Sequence, residues 1–162
     1  SPLFYVVQTG SLVMEINQVG TFNEPFVKNV VTMLHEKGLK LKEHNDDYLS
    51  KEEIAKRVGL VDAMNIAPQL GVIQTQLILT RCLIYGIKFD AFLDEVYAGG
   101  KWKKWMLTNT EENKMLCCMI AGHYHFPSAH YKEIIRQLSE REDIKEIIIQ
   151  SLTNLIHHYV RE

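Results

Sequence analysis

The stretch of this chain whose side chains are best suited to chemistry is Leu39–Tyr48. A short run of alternating apolar and basic residues ends there in a cluster of ionisable and amide side chains, which includes Glu43, His44 and Asp47. Carboxylates and imidazoles bind divalent metals, transfer protons and form hydrogen bonds to sugar hydroxyls. These residue types at this spacing therefore mark a candidate site.

The predicted secondary structure around this cluster favours the same interpretation. The alternating run predicts a strand, and Ser50 with Glu53 three residues later is a capping box that begins a helix. Ligands of α/β proteins bind at the carboxyl ends of strands, where loops from several strands meet. A charged segment that follows a strand is, taken by itself, more often a solvated loop and a helix cap. Here Glu43 and His44 occupy the last strand positions, which favours a functional site.

Three further segments also combine a predicted strand with a polar exit. They are Leu3–Val7 followed by Gln8, a short strand near Asp62–Ile66 whose exit begins at Asn65, and Met115–Ala121 followed by His123 and Tyr124. The last of these is continuously apolar, which is typical of a strand buried on both faces. Between the four predicted strands, apolar residues recur at helical spacing, which predicts helices there. The predicted order is β-α-β-α-β-αα-β-αα.

This alternation predicts a parallel sheet with right-handed crossovers. Four such units are half of an eight-stranded barrel, which typically needs about 250 residues. We therefore expect a single α/β domain over residues 1–162, of the (β/α)8 TIM-barrel type, covering about the C-terminal half of a barrel and ending in helices. Half a barrel has two open sheet edges. The chain would thus be part of a longer barrel, or two copies would close one barrel, or the sheet is open.

Composition and charge exclude several classes of protein. Of the 162 residues, 46% are hydrophobic and 23% are charged, which is typical of a globular protein. A net charge of −2 argues against a nucleic-acid or anionic-membrane partner. The aromatic-basic segment Lys101–Trp105 resembles a base-stacking surface, but two tryptophans three residues apart lie on one helical face, which favours a role as core anchors.

Two further features predict the cellular compartment. The sequence has no leader of the basic-then-apolar type and no apolar run of about 18 residues, so we expect neither secretion nor membrane spanning. Cys82, Cys117 and Cys118 lie in apolar runs and are expected to be reduced core thiols. The sequence thus predicts a cytoplasmic protein.

Four segments, taken in order, resemble one known group of proteins. They are Val6–Gly10, Lys42–Tyr48, Asn65–Pro68 and His123–Pro127, of which the acid-His-x-x-Asp-Tyr motif in the second is the most specific. The group is the non-catalytic, Z-type subunits of class II D-tagatose-1,6-bisphosphate aldolase. The resemblance spans nearly all of the chain but only the C-terminal half of the family.

This resemblance implies a (β/α)8 barrel that supports the activity and stability of a separate catalytic aldolase subunit, in galactitol or amino-sugar catabolism. The expected partners are that class II aldolase subunit, or a second copy of the chain, and a sugar or sugar-phosphate ligand. Some members of the wider group resemble metal-dependent ketose or tagaturonate epimerases, which is the alternative function. The name tagatose-6-phosphate kinase is also attached to the group. The chain has no Gly-x-x-x-x-Gly-Lys-Ser/Thr loop, so we rank a kinase last.

The enzyme alternatives imply a divalent metal, zinc or manganese, and otherwise no cofactor. A class II aldolase polarises its substrate carbonyl with a metal. Because they lie at predicted strand ends, Glu43, His44 and His123 are the expected metal ligands. The expected catalytic carboxylates are Glu43 and Asp47, with Glu15 as an alternative base.

The polar residues at the other strand exits, Gln8, Asn65 and Tyr124, are the expected substrate-binding residues. The opposite interpretation is that all these groups only form hydrogen bonds within a barrel that no longer catalyses a reaction and that acts through its surface.

Overall fold

The protein was analysed as a computed structural model that describes residues 1–107 and 113–160. The chain divides into two compact units, Ser1–Ala67 and Pro68–Glu162. Each unit is described by itself below. The single domain over residues 1–162 stays a prediction.

The first unit contains a small parallel sheet, a hairpin and two helices. Its elements are β1 (Phe4–Val7), β2 (Val13–Met14), β3 (Asn17–Gln18), α1 (Glu24–Glu36), β4 (Lys40–Glu43), α2 (Lys51–Arg57) and β5 (Ala63–Met64). The parallel sheet has the order β1-β4-β5, so β4 is central, and β2 pairs with β3 in antiparallel fashion. The three predicted strands and two predicted helices of this unit are confirmed.

The core of the first unit forms between α1 and one face of the sheet. Asn23 caps α1 by accepting a hydrogen bond from the Phe26 amide, and Pro25 lies in the first turn, where it lacks only an amide that the helix does not need. Apolar residues at helical spacing on α1 then face the apolar positions of two strands. The buried cluster consists of Val7, Val27, Val31, Leu34 and Leu41.

Every regular element described for the second unit is helical. These elements are α3 (Ala67–Tyr85, which begins at the last residue of the first unit), α4 (Asp90–Gly99), α5 (Lys114–Ala121), α6 (Ala129–Ser139), α7 (Ile144–Tyr159) and the short 3-10 helices Lys101–Trp105 and Gly122–His125. Side-chain caps begin several of them. Ser128, for example, accepts from the Tyr131 amide at 3.2 Å, as its position before an apolar run predicted.

The predicted (β/α)8 TIM-barrel fold is wrong. Residues 1–107 and 113–160 form one three-stranded parallel sheet, a two-stranded hairpin and seven α-helices, and these described residues contain no closed barrel. The main error is the fourth strand, predicted over Met115–Ala121, because this segment belongs to helix α5. The hairpin β2-β3 was also missed, since its strands have only two residues each.

The error at α5 has a simple physical cause. A continuously apolar run has no periodicity, so a buried helix and a strand buried on both faces look the same in sequence. The signal that distinguishes them precedes the run: Asn113 accepts a hydrogen bond from the Leu116 amide at 3.0 Å, which caps a helix. Cys117 and Cys118 are both fully buried on this helix.

Other expectations for the second unit can be compared directly. Trp102 is buried, stacks on the Tyr97 ring and donates its indole N–H to the Tyr97 carbonyl at 2.9 Å, which confirms that it is a core anchor.

Burial raises the pKa of Cys82 to about 11 and that of Cys118 to about 12. Among the described helices, none combines the length and the apolar character needed to cross a bilayer.

We expect Leu41→Ala to destabilise the first unit by about 2–5 kcal/mol, because Leu41 is fully buried between β1, β5 and α1. Urea denaturation measures this loss. Leu12→Ala, at a leucine that is 50% exposed, is the matched control and should cost less than about 0.5 kcal/mol. Equal losses in the two variants would contradict the core described here.

Candidate functional site

The carboxyl ends of the three parallel strands lie next to one another in the first unit. The amide of His44 donates to the Val7 carbonyl at 3.2 Å, and the amide of Asn65 donates to the Glu43 carbonyl at 3.1 Å. The Asp46 amide then donates to the Asn65 carbonyl at 3.0 Å. The loop after β4 is therefore held by main-chain bonds from its neighbours on both sides.

A cluster of buried polar side chains fills this end of the sheet. We call it the buried charge cluster, and it consists of Thr9, Ser11, Glu43, Asp46 and Arg57. Both carboxylate oxygens of Glu43 accept hydrogen bonds, one from Arg57 Nε at 2.5 Å and the other from the Thr9 hydroxyl. Asp46 Oδ1 lies 3.5 Å from Arg57 Nε and 3.4 Å from the Ser11 hydroxyl. All five residues are at least 96% buried.

Arg57 connects this cluster to α2 and to the segments that precede and follow the hairpin. Its Nη2 donates to the Ser11 hydroxyl at 3.0 Å, and its Nη1 donates to the Glu53 carbonyl at 2.8 Å and to the Glu53 carboxylate at 3.2 Å. The guanidinium carbon lies 4.2 Å from the centroid of the Phe22 ring, which is cation–π distance. A planar group with five N–H donors is suited to this many partners at once.

Asp46 is the most strongly perturbed acid in the cluster. Burial, together with a hydrogen bond to Glu43 and the charge of that residue, raises the pKa of Asp46 to about 9. At neutral pH Asp46 is therefore protonated. With Asp46 neutral, the buried Arg57 guanidinium does not face two negative charges.

The hairpin β2-β3 holds the loop of the site from the other side. Gln18 Nε2 donates to the Asn45 carbonyl at 2.8 Å and to the Asp47 carbonyl at 3.0 Å. Two residues of this loop, Asn45 and Tyr48, have φ near +60°, which is uncommon outside glycine. Gln18 thus stabilises a loop conformation that costs conformational energy.

Gly10 allows the hairpin to pack closely against the end of β1. Its φ is 106°, and a Cβ at this position would lie 1.9 Å from the Thr21 carbonyl oxygen. Thr21 in turn donates its amide to the Gly10 carbonyl at 3.0 Å. A side chain at position 10 would therefore separate the two segments that bring Thr9 and Ser11 to the cluster.

A shallow cavity of about 260 Å³ adjoins the cluster on the α2 side. Its lining consists of Gln18, Gly20, Tyr48, Leu49, Ser50, Glu53 and Arg57. This volume lies below the roughly 300–1,000 Å³ of typical small-molecule sites. The cavity borders the cluster, and Glu43 and Asp46 are not among its lining residues.

Glu43, His44 and Asp47 lie at the end of β4 and in the loop after it, as predicted. The burial and bonding of Glu43 were not predicted. Glu43 ends β4, is fully buried and has both oxygens engaged by protein donors. Asp47 is also fully buried. His44 is half-buried, and its Nδ1 has no hydrogen-bond partner among the described residues. The roles of Glu43 and Asp47 as catalytic carboxylates stay predictions.

His123 and Tyr124 lie in the second unit, on the 3-10 helix Gly122–His125 rather than at a strand end. Burial and the charge of Lys104 lower the pKa of His123. Its ring lies 4.2 Å from the Tyr124 ring, and it approaches Gly71 so closely that a Cβ there would lie 2.4 Å from His123 Cγ. These contacts give His123 a packing role inside its unit.

Within residues 1–107 and 113–160, no group of three or more His, Cys, Asp or Glu side chains is arranged to hold a metal ion. The Arg57 guanidinium beside Glu43 also opposes a cation at that carboxylate, so Glu43 does not fit a metal ligand in this arrangement. Metal binding by Glu43, His44 and His123 remains a prediction of the sequence.

The remaining predicted residues take part in local structure. Gln8 is exposed immediately after β1. Asn65 follows β5, and its side-chain oxygen accepts from the Ala67 amide at 3.3 Å, at the start of α3. Glu15 lies in the turn between β2 and β3 with φ 53°. Substrate binding by Gln8, Asn65 and Tyr124 stays a prediction.

Comparisons with known proteins identify a similar fold. No protein-family model matches the chain, and no curated protein sequence matches it. Its structure is similar to the crystal structure of a probable tagatose 6 phosphate kinase from Sinorhizobium meliloti 1021, with a TM-score of 0.64 and 17% sequence identity. The match covers 98% of this chain and 46% of that chain, so this chain spans less than half the length of that protein. At this identity the similarity shows the fold alone.

Several residues of the cluster were not predicted as site residues. Arg57 was assigned only to the end of α2, although it lies three residues after the buried Ile54 and so shares the inward face of that helix. Thr9 and Ser11 are small hydroxyl residues in a loop, and no local pattern distinguishes them from ordinary loop residues. Their role depends on partners 34 and 46 positions away in the chain.

We expect the stability of the wild-type protein to fall between pH 5 and pH 8 relative to that of Asp46→Asn. The folded state holds the Asp46 proton up to a pKa of about 9, whereas the ordinary value is 3.8, so folding takes up a proton in this range. The contribution of the Asp46 proton to the free energy of unfolding is complete below pH 4. It is lost as the pH rises, by at most about 1.4 kcal/mol per pH unit. Urea denaturation at several pH values measures the difference.

Asp94→Asn is the control for this experiment, because it removes a carboxylate whose side chain is 66% exposed. Asn at position 46 stays neutral at every pH and keeps the shape of the protonated acid. Parallel stability curves for the wild type and Asp46→Asn would contradict a protonated Asp46.

Proposed function

We propose that this protein acts in sugar-phosphate metabolism as an accessory, non-catalytic subunit of a class II D-tagatose-1,6-bisphosphate aldolase. The observation that carries the proposal is the state of Glu43. This carboxylate, the best catalytic candidate in the sequence, is fully buried and bonded to Arg57 and Thr9. A carboxylate in that state stabilises the fold and is not available to a substrate.

The motifs and the structural comparison support the sugar-phosphate assignment. The segment Lys42–Tyr48 resembles the Z-type subunit family, and it is the segment that forms the end of β4 and the loop of the buried charge cluster. The structural neighbour is named as a probable tagatose 6 phosphate kinase. We do not carry the kinase activity over, because the sequence has no phosphate-binding loop of the Gly-x-x-x-x-Gly-Lys-Ser/Thr type.

The size of the cavity beside the cluster agrees with an accessory role. At about 260 Å³ it is smaller than most small-molecule sites, and none of the fully buried carboxylates lines it. An accessory subunit acts by binding the folded form of its partner. Binding at about 100 times the dissociation constant stabilises a partner by about 2.7 kcal/mol.

We expect the protein to raise the thermal midpoint and the half-life of a class II tagatose-bisphosphate aldolase subunit, and to show no cleavage of the ketose bisphosphate when assayed alone. Differential scanning fluorimetry and a coupled cleavage assay measure the two effects. Arg57→Met should lose the stabilisation, because it leaves the carboxylates of the cluster without their counter-charge.

Arg136→Met is the matched control, since its side chain is 58% exposed and, among the described residues, bonds to Glu133 on its own helix and to Glu140 at that helix's C-cap. This variant should stabilise the aldolase as well as the wild type does. Cleavage of the bisphosphate by the chain alone, or an aldolase whose stability does not change when the chain is added, would refute the accessory function.

The alternative function is a metal-dependent ketose or tagaturonate-type epimerase. One observation favours it: His44 Nδ1 is buried without a hydrogen-bond partner among the described residues, and an imidazole nitrogen in that state is suited to bind a ligand. The accessory function does not need this nitrogen.

Metal analysis distinguishes the two functions. We expect the purified protein to hold less than stoichiometric zinc or manganese, because Arg57 pairs with Glu43 and opposes a cation there. Elemental analysis by mass spectrometry, before and after dialysis against either metal, measures the content. One metal per chain that is lost in His44→Ala and kept in His130→Ala, at an exposed histidine, would replace the accessory function with the epimerase.

A further inference from the structure

Two short 3-10 helices of the second unit bring two lysines to one aromatic ring. Lys101 and Lys104 belong to the helix Lys101–Trp105, and Tyr124 belongs to the helix Gly122–His125. The ammonium nitrogen of Lys101 lies 4.9 Å from the centroid of the Tyr124 ring, and that of Lys104 lies 5.3 Å from it. The accessory function uses neither lysine.

The geometry of the 3-10 helix explains why these two lysines share a site. Such a helix has three residues per turn, so side chains three positions apart project from the same side. Lys101 and Lys104 therefore project together. Trp102 projects from another side, where it is buried and donates its indole N–H to the Tyr97 carbonyl at 2.9 Å. Trp102 thus anchors the helix and leaves the two lysines exposed.

The positive charges of Lys101 and Lys104 have no carboxylate partner in the part of the chain that the structure describes. Other exposed lysines of the chain do pair with acids, as Lys114 pairs with Asp94 at 3.2 Å. Lys101 and Lys104 instead contact aromatic ring faces. A ring face attracts an ammonium group without cancelling its charge. Both charges are therefore available to an anion.

We infer that Lys101 and Lys104 together bind a dianionic phosphate group, whose oxygens accept hydrogen bonds from both ammonium groups. A phosphate group on a small molecule carries about −1.5 to −2 charges at pH 7 and has three acceptor oxygens, which matches two lysines. A carboxylate carries one negative charge and would leave one lysine without a counter-charge. Because each ammonium group ends a flexible stem, the two side chains can converge on one phosphate. The net charge of −2 argues against a polyanion such as nucleic acid.

Tyr124 is a positioning residue for the two lysines. The helix that carries it is tightly packed, since a Cβ at Gly122 would lie 2.7 Å from the Thr75 methyl group. With the ring held in place, the cation–π contacts restrict the ammonium groups before an anion arrives, which lowers the entropy cost of binding. This inference does not depend on the accessory function, because it concerns only binding by the second unit.

Titration of the whole chain with inorganic phosphate and with glucose 6-phosphate tests the inference, and unphosphorylated glucose is the control ligand. We expect saturable shifts of the amide NMR signals of residues 101–105 and 122–125 with both phosphates and none with glucose. Tighter binding of glucose 6-phosphate would assign the site to a phosphate ester, and equal binding would assign it to free phosphate. Either result supports a phosphate site.

Variants of three neighbouring lysines separate this site from the general charge of the helix. Lys101→Gln and Lys104→Gln should each weaken phosphate binding about tenfold, because each removes one charge-assisted hydrogen bond. Lys103→Gln is the matched control: it removes the same charge from the same helix, but its ammonium nitrogen lies 5.7 Å from the centroid of the Trp102 ring. This variant should bind phosphate as the wild type does.

Two variants of Tyr124 test the positioning role. Tyr124→Phe keeps the ring face and should bind as the wild type does, whereas Tyr124→Leu should bind severalfold more weakly with the circular dichroism of the wild type. Equal binding by these two variants would overturn the positioning role. A wild type without saturable phosphate binding, glucose that binds as tightly as glucose 6-phosphate, or equal weakening in all three lysine variants would overturn the inference.

Discussion

The buried ion pair between Glu43 and Arg57 is the interaction on which the first unit depends. A guanidinium and a carboxylate that are both excluded from water are costly to bury, and they become tolerable only when nearly every donor and acceptor has a partner. Thr9 and Ser11 supply those partners from the loop after β1, and Glu53 supplies them from α2. Removing one ion alone would cost about 3–5 kcal/mol. The pair therefore connects the end of β4 to the end of α2.

Charge balance explains why a second acid is tolerated next to this pair. Asp46 is fully buried within reach of Arg57, and two ionised carboxylates beside one guanidinium would leave a net negative charge in a region without water. Protonation of Asp46 removes that charge, which is why its pKa rises to about 9. Elsewhere a perturbed acid at a strand end often indicates catalysis. Here the same perturbation results from burial and from the neighbouring Glu43 within a hydrogen-bonded network.

The first unit has a buried, hydrogen-bonded polar end and an exposed apolar edge at β1. Most buried polar groups at its polar end bond within the cluster or to Gln18, whereas Tyr5 and Val6 on β1 are more than half exposed. A parallel sheet is normally covered on its faces and protected at its edges.

The sequence by itself determined the local elements of this protein. Alternation in Lys40–Glu43, the cap at Ser50 and the spacing of Val27, Val31 and Leu34 depend on neighbours a few residues away, so these elements were predicted correctly. Tertiary structure decided the rest. The run ending at Ala121 is apolar throughout and therefore has no period that could distinguish a helix from a strand, so the number of strands, and with it the barrel, was wrong. The chemical state of Glu43 was equally invisible, because it depends on Arg57 and Thr9, which the fold brings to it from 14 and 34 residues away.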